Sequence, residues 1–157
     1  MITENSVSSE EITINAPAEL VWEVIVDFPR YSEWNEFCPQ ADGEAVVGSP
    51  LRMMVDLGQG PQEQVEYITR VEPPRVIVWS MENKPGDPIH ADRLQRLTPI
   101  DGNSCRYISI DNFSGEAVAS MMDLMGEPVE NGFNLCARNL KARAESLYQQ
   151  AQKKEKG

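Results

Sequence analysis

A chain of 157 residues with 41% hydrophobic and 25% charged side chains has the length and composition of one soluble globular domain with one sizeable core. Its net charge of −11 excludes the basic face that a nucleic-acid backbone or an anionic membrane surface requires. No apolar run approaches the roughly 20 residues of a membrane span, and Cys38, Cys105, Cys136 and the lone His90 are too widely spaced for a disulfide framework or a metal site.

The first ten residues are polar and acidic, without the basic and apolar regions of a signal peptide, which predicts a cytoplasmic protein. The expected domain spans 1–157, with a core at about 10–150 and frayed ends. Lys153-Lys154-Glu155-Lys156 then reads as a solvated terminus. From about Glu10 to Asn15 the alternation of Ile12 and Ile14 predicts a strand. Pro17 suits the first turn of a helix whose stripe is Leu20, Val21, Val24, Ile25 and Phe28. Pro29 ends it, and Tyr31 to Glu36 can form a second short turn.

Breakers then recur at Gly43, Gly48-Ser49-Pro50, Gly58 to Pro61, Pro73-Pro74, Pro85 to Pro88 and Asp101-Gly102-Asn103. Between them lie runs of period two: Leu51, Met53, Val55, Leu57; Val65, Tyr67, Thr69, Val71; Ile77, Trp79, Met81. Further runs follow at 89–98 and 104–113. This spacing predicts antiparallel hairpins rather than crossover units. A short helix is expected at about Glu116 to Met125. A long one is expected from near Pro128, on the stripe Val129, Phe133, Cys136, Ala137, Leu140, Ala144 and Leu147. The resulting class is α+β: about seven antiparallel strands, two short helices after the first strand, and a long C-terminal helix covering the sheet.

The strand running into Ala16-Pro17-Ala18-Glu19-Leu20-Val21-Trp22, with Trp34-Asn35 after it, resembles the opening of the START-like, or SRPBCC, superfamily. That superfamily includes polyketide cyclases, Bet v 1-like proteins and lipid-transfer domains. Asp111-Asn112-Phe113-Ser114-Gly115, Gly132-Phe133-Asn134 and Asn139 to Glu145 resemble its polyketide cyclase and dehydrase-like branch. The resemblance covers roughly Glu11 to Glu145. It implies a helix-grip fold, a curved sheet around the long helix, built about a cavity for a small apolar molecule.

On alternation, Met53, Tyr67, Trp79 and Met81 belong to the face of such a cavity. Phe113, Met122, Met125 and Phe133 would complete it, with Met121 beside them. Flexible thioethers adapt to irregular ligands, and aromatics add apolar area with a polar tip. The polar candidates are Arg93, Gln95, Ser109 and Asp111, which share faces of two neighbouring strands. Were those faces inward, the four would form a polar patch able to orient a ligand or move protons. The opposite parity makes Ile108 and Ile110 the inward pair and leaves those polar groups on the solvated convex face, the more ordinary place for charges. His90 reads as an exposed loop residue.

The expected function is binding of a small hydrophobic or aromatic molecule, with Gln95 as a polar contact. The alternatives are an enzyme of the cyclase, aromatase or dehydratase type acting through Arg93, Asp111, Ser109 or Tyr67, and a partner-binding module. No cofactor is implied. A monomer or homodimer is expected.

Overall fold

The computed structural model describes residues 1–156. Its strands are β1 (Ser6–Ser8), β2 (Ile12–Ile14), β3 (Gln40–Asp42), β4 (Pro50–Asp56), β5 (Pro61–Glu72), β6 (Val76–Ser80), β7 (His90–Asp101) and β8 (Ser104–Ser114). Helix α1 (Ala18–Val26) and a 3₁₀ turn (Phe28–Glu33) lie between β2 and β3, and α2 (Val118–Lys156) closes the chain. The strands form one eight-stranded sheet in the order β1-β8-β7-β6-β5-β4-β3, with β2 also pairing β8. Every named pairing is antiparallel. This is the α+β class with the antiparallel hairpins expected from the turns, and the helix-grip arrangement that the resemblance implied.

The inner face of the sheet follows from alternation. Leu51, Met53 and Val55 of β4 are buried, as are Ile77 and Trp79 of β6, Leu97 of β7, and Cys105 and Tyr107 of β8. The long helix lays Phe133, Cys136, Ala137, Leu140 and Ala144 against them, all at most 4% exposed. Val21, Val24, Ile25 and Phe28 add the face of α1 and the turn after it.

Polar side chains on α2 clasp the N-terminal segments. Asn134 Oδ1 accepts from the Glu10 amide at 2.8 Å and Asn139 Oδ1 from the Glu36 amide at 3.0 Å. Glu145 Oε2 accepts from the Asn15 amide, and Lys141 Nζ donates to the Thr13 carbonyl, each at 2.8 Å. Three of these bonds satisfy backbone groups in or next to the short β2, and the fourth one after the 3₁₀ turn. They give Asn134, Asn139, Lys141 and Glu145 a structural role.

Three details differ from the sequence expectation. Strands β1 and β3 are additional, each only three residues long. Residues Glu10, Glu11 and Asn15 lie outside β2. The C-terminal helix is one continuous element of 39 residues with Pro128 inside it, not a short helix followed by a long one. A proline removes one bond, to the carbonyl four residues back. Here that residue is Leu124, whose side chain is 76% exposed, so the affected turn faces water and the helix persists. Among the described residues no helix is long and apolar enough to cross a membrane.

Candidate functional site

Register brings the site together. Ile68 pairs with Trp79, Trp79 with Arg93, and Arg93 with Asp111, forming one row across four strands. The next row contains Ala91 opposite Phe113, with the Met81 amide donating to the Ala91 carbonyl at 3.0 Å. Above these rows α2 presents Met121, Met125, Val129 and Phe133, a stripe of spacing four. The small Ala91 side chain leaves space between sheet and helix. The result is a half-enclosed cavity of about 250 Å³. Its remaining wall comes from Phe37, from Met53, Val55 and Leu57 at β4, and from Gln64 and Glu66 of β5.

Arg93 is the unusual member. It is 7% exposed, and its Nε donates to Ser109 Oγ at 2.9 Å. Its Cζ lies 4.4 Å from the centre of the Phe133 ring, 5.3 Å from Trp79 and 5.6 Å from Phe37. Three π faces thus surround a guanidinium that stays charged at any ordinary pH. No ion pair joins Arg93 to Asp111 among the described residues. Arg93 Nη2 and Asp111 Oδ1 are both buried without a hydrogen-bond partner among those residues.

Two carboxyl groups share this space. Burial pushes Glu66 up to about 8, the Asp111 carboxylate adds to the shift, and Arg93 opposes it. Burial likewise pushes Asp111 up to about 7, against the pull of Arg93. Groups that titrate near neutrality inside a cleft are able to exchange protons with a bound molecule. Behind the cavity, Tyr107 donates to Gln95 Oε1 at 2.5 Å. Burial raises the Tyr107 hydroxyl above its ordinary range, so it remains a neutral donor.

The inward parity of β7 and β8 is the one that carries Arg93, Gln95, Ser109 and Asp111, with Ile108 and Ile110 on the outer face. Of the candidates named from sequence, Met53, Trp79, Met81, Phe113, Met125, Phe133, Arg93 and Asp111 line the cavity. Gln95 and Ser109 are buried beside it rather than in its wall. Met122 packs on the core outside the lining, and Met121 takes the place expected for it.

Tyr67 is a correction. A bulge between Ile68 and Arg70 changes the parity of β5, so Gln64, Glu66 and Ile68 face inward before it and Val71 after it. Tyr67 pairs with Ser80 and falls on the outer face. The same bulge hid Glu66 and Gln64, because a uniform alternation through Val65 and Val71 places them outside. Phe37 gave no periodic signal at all, being in the irregular stretch after the 3₁₀ turn. His90 sits at the start of β7 with its Nε2 2.8 Å from the Lys84 carbonyl, outside the cavity lining.

Three comparisons place this geometry among known proteins. Residues 7–145 match the family described as polyketide cyclase/dehydrase and lipid transport. No curated protein sequence matches the chain. Among solved structures, an aromatase/cyclase from Streptomyces sp. R1128 is similar at 19% identity with a TM-score of 0.70, over 89% of this chain and 93% of that one. A START superfamily protein from Mycobacterium smegmatis is similar at 17% identity and TM-score 0.69, over 91% and 99%. Norcoclaurine synthase from Thalictrum flavum is similar at 17% and 0.62, over 87% and 84%. At such identities the likeness speaks for the fold. With the family match over most of its length, the chain belongs to the polyketide cyclase/dehydrase and lipid transport family.

Proposed function

We propose that the protein binds a small hydrophobic or aromatic molecule in the cavity between the sheet and α2. One observation carries this reading: a half-enclosed cavity walled mainly by Met, Phe, Trp and aliphatic side chains, around a few buried polar groups. Ligand sites have this composition, with apolar walls for affinity and a few polar atoms for orientation. Burial of the ligand contributes about 25 cal/mol per Å² of apolar area before the ordering costs of association. The volume sets a scale. A dry cavity of about 150 Å³ holds one benzene ring, so about 250 Å³ suits a body of roughly two fused rings.

Native mass spectrometry of protein purified from its own source, combined with thermal unfolding against a panel of lipids and aromatic compounds, tests the proposal. A retained small molecule, or a concentration-dependent rise in the unfolding midpoint, is the expected result. No retained mass and no shift with any compound would overturn it.

A second reading is favoured by the Glu66, Asp111 and Arg93 constellation. Two carboxyl groups that titrate near neutrality beside a fixed cation could serve an enzyme of the cyclase, aromatase or dehydratase type. Turnover of a reactive carbonyl substrate that is lost in Asp111→Asn, with binding retained, would establish it.

A further inference from the structure

The cavity wall holds one cation and two carboxyl groups: Arg93 from β7, Asp111 from β8 and Glu66 from β5. With both carboxyls ionised, this space carries one negative charge more than Arg93 balances. Asp111 stands directly opposite Arg93 in the β7–β8 register. Glu66 lies two strands away from Arg93, and no ion pair reaches it among the described residues. Its side chain is only half-buried, so water reaches it through the open side of the cavity. The other elements packed around it bring no charge. Leu51 of β4 pairs with it, β6 presents Trp79 and Met81, and α2 presents Met121, Met125, Val129 and Phe133. Behind the wall, burial holds Tyr31, Cys38, Tyr107 and Cys136 protonated around Arg93. Asp92 acts only from the outer face of β7, where Asn83 Nδ2 donates to it at 3.1 Å.

An apolar ligand replaces the water beside Glu66 with hydrocarbon. An ionised carboxylate without a cation of its own is costly to desolvate, and such a group takes up a proton instead. Building on the cavity-binding reading above, we infer that binding is proton-coupled through Glu66: its carboxylate takes a proton from solvent as the ligand enters and returns it on release. Asp111 then supplies the one counter-charge to Arg93, and the occupied site is neutral. The sign follows from linkage. Occupancy raises the proton affinity of Glu66, so affinity for the ligand is fully present on the acidic side and is lost as pH rises. Burial already lifts Glu66 to about 8, so the loss begins above that value. The cavity thus loads at neutral or lower pH and releases in alkali, whatever apolar body it holds.

The test uses naphthalene, a probe with no titratable group, so that any pH dependence belongs to the protein. Its affinity is read by calorimetry from about pH 6 to about pH 9, and protons are counted near pH 8.5 by repeating the titration in buffers of unlike ionisation enthalpy. Affinity should be nearly constant up to about pH 7 and about tenfold weaker by about pH 9, with uptake of more than about half a proton per naphthalene. Glu66→Gln should remove both the fall and the uptake. Binding of equal strength across the range without proton uptake overturns the inference and leaves the cavity-binding reading standing. Affinity that rises with pH, or a fall that persists in Glu66→Gln, overturns it too. If naphthalene binds at no pH, the cavity-binding reading itself fails and the inference with it. Should Glu66→Gln fail to fold, Glu66→Leu takes its place, and the proton count on the unmodified protein decides where neither folds.

Discussion

The guanidinium carbon of Arg93 sits 4.4 Å from the centre of the Phe133 ring. This contact joins the middle of β7 to the long helix at the wall of the cavity. Phe133 stands edge-on to Phe37 at 5.7 Å between ring centres, so one buried charge organises aromatic side chains from three separate parts of the chain. The arrangement explains how an arginine can be nearly fully buried without an ion pair. Its Nε is hydrogen-bonded and π faces surround the rest.

Phe133→Ala should therefore do more than open a hole. It removes a side chain 2% exposed and uncovers the Arg93 charge. A loss of about 3–5 kcal/mol in denaturant unfolding is expected. An aromatic compound that fills the space should restore part of it. A loss below about 1 kcal/mol would show that Phe133 is not packed between helix and sheet.

The cavity carboxyls predict a pH dependence of stability. Glu66 and Asp111 hold their protons up to about 8 and about 7, against ordinary values of 4.5 and 3.8. The folded protein then binds more protons than the unfolded chain between those limits. Stability is greatest at the acidic end of the window and falls as pH rises through the folded values. The unfolding midpoint should drop between about pH 5.5 and about pH 8, where ordinary carboxylates are already ionised. The double variant Glu66→Gln with Asp111→Asn should flatten the profile. An unmodified protein with a flat profile would contradict the burial of these groups.

The two faces of the sheet should separate in mutagenesis. Trp79 is in the cavity wall and Tyr67 on the outer face. Trp79→Leu should weaken naphthalene binding by about tenfold, on the scale of the apolar area that the smaller side chain no longer covers. Tyr67→Ala should leave that affinity unchanged, as should His90→Ala. Calorimetric titration measures all three. Weakened binding in Tyr67→Ala would place the β5 bulge elsewhere.

Gly115 joins β8 to α2 with φ +119°, and a Cβ there would lie 2.4 Å from the Pro88 carbonyl oxygen. Neither the backbone angle nor the close approach tolerates a side chain. Gly115→Ala should cost about 2 kcal/mol or more in thermal or denaturant unfolding. A neutral substitution would mean that the segment before α2 is free to shift.

How far the sequence alone carried the structure depends on the range of the physics involved. Period two in Leu51 to Leu57, the breakers at Gly58 to Pro61 and Asp101 to Asn103, and the stripe from Val129 to Leu147 are local signals. They were enough for the hairpins, the long helix and its buried face, because propensity and amphipathicity act within a few residues. The short β1 and β3 carry too few residues for any period to register. Pro128 reads as a helix boundary until one sees that the turn it disturbs faces water.

Tertiary structure decided what the local signals could not. Alternation states that Arg93 and Asp111 share faces with Gln95 and Ser109, but not which face is inside, because Ile108 and Ile110 compete for the same role. The choice rests on Phe37 and Phe133, far away in sequence, whose rings make an inward arginine tolerable. The bulge at Ile68 and Arg70 follows from pairing with β6 and decides that Glu66 faces the cavity while Tyr67 does not. The cavity wall was thus legible where burial follows hydrophobicity, and hidden where long-range packing places a charge inside.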